Sequence, residues 1–116
     1  MNTRKIAINT SYGGFGLTDA AIEMYLIKKN VPFKIESRRF LLSKRRNTYF
    51  VDNQYFSTHT IQRDDPALIE TLEQLGEEAA DTYCTFKIIE IPADVQWHIQ
   101  EYDGREWIAE NHRTWE

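Results

Sequence analysis

The sequence predicts an α/β fold: a mixed β-sheet packed by two α-helices, with a C-terminal β-hairpin, in one domain over residues 1–116. Three observations carry this expectation. The alternating segment Lys5-Ile6-Ala7-Ile8-Asn9 runs through a glycine-rich loop, residues 11–16, into helix-forming sequence. Leu68, Leu72, Leu75 and Ala79 recur at helical spacing behind Asp65-Pro66, a helix start. Asp103-Gly104 separates two strand-like runs and is a strong two-residue hairpin signal.

Taken in order, Ile6 and Ile8 place one face of the first strand against a core. Thr18 sits where an N-cap belongs and Asp19 in the first turn suits the helix dipole, so residues 19–29 read as a helix with Ile22, Tyr25 and Leu26 on one side. Asn30 is a left-handed stop and Pro32 blocks continuation. Residues 33–60 are rich in β-formers, in runs at 33–36, 39–42, 48–51 and 55–61, with Asp52-Asn53 as a turn. They form either a hairpin plus a further strand or an extended arm. Ser43-Lys44-Arg45-Arg46-Asn47 reads as a solvated basic turn. Asp65 caps a second helix over 66–80. The strand Phe86-Lys87-Ile88-Ile89-Glu90-Ile91 has apolar residues on both faces and is expected to be central; Pro92 ends it.

The Asp103-Gly104 turn sets a register for the last hairpin. Tyr102 opposes Arg105, Glu101 opposes Glu106, Gln100 opposes Trp107, Ile99 opposes Ile108 and His98 opposes Ala109. Two glutamates directly opposed destabilise a strand pair. Either the loop is longer than two residues, or a cation lies nearby.

Composition narrows the function classes. One cysteine, Cys84, cannot build a disulfide framework and suits a reducing compartment. No apolar run approaches the roughly 20 residues of a membrane span, and the N-terminal segment has no export signal; no membrane partner is expected. The net charge of −4 hides an asymmetry. Residues 1–50 hold ten Lys/Arg against three acids, a net of +7, while 51–116 hold four against fifteen, a net of −11. A one-signed DNA-binding surface is not expected; a local basic patch for a small anion, or a charge-complementary subunit contact, is open.

Three segments are candidates for chemistry. The loop Ser11, Tyr12, Gly13, Gly14, Phe15, Gly16 permits close backbone approach, and the helix start behind it offers N–H groups to an anion. It is neither a Walker loop nor a dinucleotide fingerprint, and a tight turn that only redirects the chain explains it equally well; Tyr12 and Phe15 tilt it toward stacking on a base. Arg38 and Arg39 lie in a strand-like stretch, where a guanidinium fork suits a phosphate, while Lys44, Arg45 and Arg46 fit a solvated turn. The tail Glu110-Asn111-His112-Arg113-Thr114-Trp115 suits docking on a neighbouring subunit or completing a pocket, with His112 and Arg113 as ligand contacts. Catalysis has little support. His59, His98 and His112 show no zinc-ligand spacing, no nucleophile elbow occurs, Asp65 is a cap, and Cys84 is packed rather than reactive. Trp97 and Trp107 read as core or interface. No cofactor or metal is expected.

Three blocks together carry a resemblance: Ile8-Asn9-Thr10-Ser11-Tyr12-Gly13-Gly14-Phe15-Gly16-Leu17; Arg63-Asp64-Asp65-Pro66-Ala67-Leu68; and Ile89-Glu90-Ile91-Pro92 running through Glu101-Tyr102-Asp103-Gly104 to His112-Arg113-Thr114-Trp115. The set resembles a family of small proteins common in phage genomes and prophages, over nearly the whole chain except 33–58. Small phage proteins of this kind resemble the viral sponges that sequester nucleotide immune signals, among them the tetrameric anti-CBASS sponge. The resemblance implies a non-catalytic homo-oligomer, a tetramer, that binds a cyclic dinucleotide in the host cytoplasm. The alternatives are a small nucleotide-processing enzyme using His112 or His59, and a protein–protein inhibitor or accessory phage factor.

Overall fold

The computed structural model describes residues 2–12, 14–40, 44–81 and 84–110, with backbone alone for 37–40 and 44–46. Its strands are β1 (Thr3–Asn9), β2 (Lys34–Phe40), β3 (Lys44–Val51), β4 (Gln54–Tyr55), β5 (Phe86–Pro92), β6 (Trp97–Tyr102) and β7 (Arg105–Glu110). The α-helices are α1 (Asp19–Lys28) and α2 (Pro66–Leu75), with 3₁₀ turns at Thr58–Thr60 and Gly76–Ala79. The expected α/β architecture with two helices and a C-terminal strand pair is present. Its ladders differ from one mixed sheet: the described strands pair antiparallel throughout, as β1-β5, β2-β3-β4 and β6-β7. Two-residue turns dictate that direction for β3-β4 and β6-β7, since both central residues of each turn have positive φ: Asp52 (53°) and Asn53 (63°), Asp103 (52°) and Gly104 (88°).

The helices begin and end where their chemistry places them. Thr18 is extended (φ −72°, ψ 163°) and its hydroxyl accepts from Ala21 N; Asn30 stops α1 with φ 57°. Asp65 caps α2 through Ala67 N at 2.9 Å, and Pro66 fills its first position, where a missing N–H costs nothing. The run expected as one helix over 66–80 breaks at Gly76, whose φ of 60° ends the α-helix and leaves a 3₁₀ turn to bury Ala79.

The core lies between α1, α2 and one face of the β1-β5 pair. Ala7, Leu17, Ala21, Tyr25, Leu26, Leu68, Ile69 and Leu72 form one cluster with Phe86 and Ile88 packed against it. Ile6 and Ile8 alternate to the opposite face and are equally buried. There Ile8 and Ile89 share a groove with Trp107 and Ile108 of β7. The molecule is therefore layered as helices, β1-β5, then β6-β7. This corrects the expectation that residues 86–91 form a central strand. Among the described residues β5 pairs only with β1; Phe86 and Ile88 of one face pack on the core, and Ile89 of the other borders the groove beside β7.

Residues 33–60 resolve into a hairpin, β2-β3, with the short β4 beside it. Lys44, Arg45 and Arg46 belong to β3, which corrects the solvated-turn reading. Of residues 55–61 only Tyr55 is strand; Thr58–Thr60 is a 3₁₀ turn. The described side chains of β2, Lys34 to Glu36, are exposed, Ile35 among them.

Candidate functional site

The last hairpin takes the register expected of it, pair for pair, with Glu101 opposite Glu106. The expected cation is Arg63. Its guanidinium forms a two-pronged bridge to Glu106, Nη1–Oε1 at 2.5 Å and Nη2–Oε2 at 2.8 Å, and lies 3.6 Å over the Phe15 ring. Glu106 also accepts from Asn9 N at 2.8 Å, and Ala7 N donates to Arg63 O at 2.9 Å. The Ala7 and Asn9 N–H groups on the outer edge of β1 thereby find partners without another strand.

Asn9, fully buried, ties this bridge to the glycine loop. Its Nδ2 donates to Ser11 O and Gly104 O, both at 2.8 Å. Its Oδ1 accepts from the Ser11 hydroxyl at 2.8 Å and Thr85 N at 2.9 Å. The hairpin turn lies directly on the loop: a Cβ at Gly104 would meet Gly14 N at 2.6 Å and Tyr12 O at 2.7 Å. Gly14 has φ 85°. The glycines thus let two turns meet backbone to backbone.

That geometry revises the loop's candidate residues. Ser11 is engaged with Asn9, and Gly14 with the hairpin turn. Phe15 is not a stacking platform: it is 9% exposed, edge-on to Phe86 at 5.1 Å, with Arg63 across one face. Gly16 packs against Asp81, whose Cβ would be 3.1 Å from an added Cβ. The start of α1 is capped by Thr18 and faces the carboxylates of Asp19 and Asp81, which oppose an anion there. Tyr12 alone presents an exposed ring, at 62%. Gly13, His112 and Arg113, with Trp115, lie outside the described residues.

Arg38 and Arg39 fall instead into a set. On the β2-β3 ladder Arg38 stands directly opposite Arg46, Arg39 opposite Arg45, and Phe40 opposite Lys44. Two arginine pairs and a lysine therefore occupy the outer half of one two-stranded ribbon. Like charges opposed across strands destabilise the pairing, and a ribbon of this kind has little stability to spare.

At the root of the same ribbon is a cavity of about 560 Å³, within the roughly 300–1,000 Å³ range of small-molecule sites. Asn47, Thr48 and Tyr49 of β3 form one wall, Tyr55 and Phe56 another, and Asp19, His59 and Asp81 add polar groups. Tyr49 is buried and donates to Glu23 Oε2 at 2.9 Å; burial first, then the nearby carboxylates, push its phenol above the usual range. Burial also raises Asp19, reinforced by the charges of Glu23 and Asp81. The cavity is thus aromatic and carboxylate-lined, while the strand that walls it carries arginines one and two residues further on. The Tyr55 ring is 69% exposed.

The remaining candidates are structural. Asp65 accepts from Tyr25 Oη at 2.8 Å and faces Lys29 Nζ at 3.1 Å; Asp64 lies 3.8 Å from Arg4. Cys84 is buried and burial raises its thiol. Trp107 is 43% exposed, its indole N–H donating to Gln100. Among the described residues no helix is long and apolar enough to cross a membrane, and no group of three or more His, Cys, Asp or Glu could hold a metal ion. Sequence reasoning passed over the cavity, whose walls come from four separated segments. It passed over Asn9 and Arg63 as well, although Glu101 opposite Glu106 called for a cation. No protein-family model, curated protein or solved structure matches the chain.

Proposed function

We propose that the protein is a non-catalytic nucleotide-binding protein: a phage counter-defence sponge that sequesters a cyclic-nucleotide immune signal in the host cytoplasm. One observation supports this reading above the others. A wall of an aromatic cavity of ligand size and one arginine of each opposed pair, Arg46 and Arg45, lie consecutively on one strand, β3. A nucleotide has the matching division, a flat base that stacks and a phosphate that pairs with guanidinium. At about 3.3 Å per residue, Arg46 and Arg45 lie roughly 3–7 Å along the strand from Asn47 at the cavity wall. In this reading the phosphate meets the ribbon arginines rather than the start of α1, where carboxylates oppose an anion. The phage-family resemblance supplies the biological role and implies a homo-oligomer, a tetramer, whose mass in solution is directly measurable.

The test is to mix the purified chain with a panel of cyclic mono- and dinucleotides, measure binding, then denature the complex and identify the nucleotide. A sponge returns its ligand intact in stoichiometric amount. A cleaved product would make the protein a nucleotide-processing enzyme, with His59 at the cavity as the first residue to replace. Absence of binding to every nucleotide would turn the reading toward a protein–protein inhibitor.

A further inference from the structure

Given a nucleotide ligand, we infer that its phosphate is received by one arginine pair of the ribbon, Arg39 with Arg45, and not by the other, Arg38 with Arg46. The inference rests on the nucleotide-binding reading and adds a separate claim: which face of the ribbon takes the anion.

Strand parity separates the two pairs. Successive residues of a strand alternate between its faces, and residues directly opposed across an antiparallel pair share a face. The β2-β3 register runs from Lys34 opposite Phe50 to Phe40 opposite Lys44 without a break, so no bulge reverses the alternation. Tyr49 fixes which face is which. It is buried, it donates to Glu23 of α1 at 2.9 Å, and with Asn47 it walls the cavity. Counting back in twos from Tyr49 reaches Asn47 and then Arg45. Their partners across the ladder are Ile35, Ser37 and Arg39. The Arg39–Arg45 pair therefore stands on the cavity's face of the ribbon. Arg46, opposite Arg38, falls on the other face with Thr48 and Phe50.

The two faces also differ in charge. Glu36 is the one acid in β2 and β3, and it shares the face of Arg38 and Arg46, opposite Thr48. A carboxylate two residues from Arg38 offsets part of that pair's field. Between Tyr49 and the Arg39–Arg45 pair, the cavity's face of the ladder holds Ile35, Ser37 and Asn47, all uncharged. Arg45 is two residues beyond Asn47, roughly 7 Å along the strand. One ligand can therefore place its base in the cavity and its phosphate at this pair. Two guanidiniums opposed across a ladder repel each other. A phosphate between them replaces that repulsion with charge-assisted hydrogen bonds to both.

The experiment compares two double variants of the intact chain, Arg39→Gln with Arg45→Gln and Arg38→Gln with Arg46→Gln. Each removes one opposed pair and two positive charges, so net charge and ladder repulsion change alike and the face alone differs. Affinity for 3′,5′-cyclic AMP, 3′,5′-cyclic GMP, cyclic di-AMP and cyclic di-GMP is measured by calorimetric titration, with folding checked by circular dichroism. The single variants Arg45→Gln and Arg46→Gln, neighbours on β3, repeat the comparison with a smaller perturbation. For a nucleotide that binds, loss of Arg39 and Arg45 should weaken binding at least about tenfold, the lower range for lost hydrogen bonds to a charged group. Loss of Arg38 and Arg46 should weaken it about twofold, through the field alone. Equal losses in both, or a larger loss with Arg38 and Arg46, would overturn the face assignment and leave nucleotide binding standing. Binding of none of the four nucleotides by the wild type would overturn the nucleotide reading and this inference with it.

Discussion

Glu106 shows how one residue can carry the junction between two layers. Its carboxylate receives both prongs of Arg63 and the N–H of Asn9, and the side chain is 9% exposed. Removing one partner of such a bridge leaves the other charge without its counterion. Glu106→Ala should cost about 3–5 kcal/mol in chemical denaturation. Replacing both partners, Arg63→Met with Glu106→Leu, should recover much of that loss, because no charge is then stranded. A double variant no more stable than Glu106→Ala would show that the bridge acts through the Asn9 N–H instead. Asp65 answers to pH in a definable direction. Burial would raise its carboxyl, but hydrogen bonds from Tyr25, Ala67 N and Lys29 outweigh burial and hold it below the usual range. A lowered folded value means stability present above the unfolded value, near pH 4, and lost as pH falls through the folded one. Asp19 is shifted the other way, so protonating it adds stability as pH falls through its raised folded value. Asp65→Ala should lose about 1 kcal/mol at neutral pH with the cap. Asp65→Asn keeps a capping side chain and should flatten the acid limb of the stability curve, read from denaturation midpoints across pH 2–7.

The elements divide by how locally they are determined. Helix starts at Thr18 and Asp65, the stop at Asn30 and the turn at Asp103-Gly104 depend on residues a few positions apart, and all stand where the sequence places them. The hairpin register even carried a contradiction, Glu101 against Glu106, whose resolution by Arg63 lies 43 residues away from Glu106. What was illegible depends on distant chain segments. A glycine loop reads alike whether it receives a phosphate or a neighbouring turn; only Gly104 against Gly14 decides it. The apolar faces of β5 read alike under flanking strands or covering layers. Residues 44–46 read as a turn because strands rarely begin with three cations, yet the ladder opposes two of them to arginines. That opposition makes the ribbon testable. Arg45→Glu with Arg46→Glu turns both like-charge pairs into opposite-charge pairs. The change should stabilise the ribbon by a few tenths to about 1 kcal/mol per pair while weakening anionic-ligand binding at least tenfold. A variant with lower stability and weaker binding together would indicate simple damage rather than loss of a phosphate contact.

At the scale of the whole molecule, charge is sorted along the chain: +7 over residues 1–50, −11 over 51–116. Arg4, Lys5, Lys28 and Lys29 of the first part pair with Asp64, Glu73, Glu70 and Asp65 of the second, whereas Arg38, Arg39, Arg45 and Arg46 stand opposite one another on the ribbon, so the ribbon is where an anion is drawn. Two measurable consequences follow. A ligand that binds only the folded chain stabilises it by mass action, about 2.7 kcal/mol at a concentration one hundred times Kd. For a domain of this size that should raise Tm by roughly 10–20 °C. The same gain should shrink as salt rises from low to physiological ionic strength, because the Debye length falls from about 30 Å at 0.01 M to about 8 Å at 0.15 M. Stacking on Tyr55 is not screened in this way, so Tyr55→Ala should lower the ligand-induced shift equally at both salt concentrations. The Arg45→Glu, Arg46→Glu variant should instead lose the salt-dependent part. A shift in the wild type that ignores salt, measured by thermal denaturation across that range, would remove the ribbon arginines from the binding site and leave the cavity alone to hold the ligand.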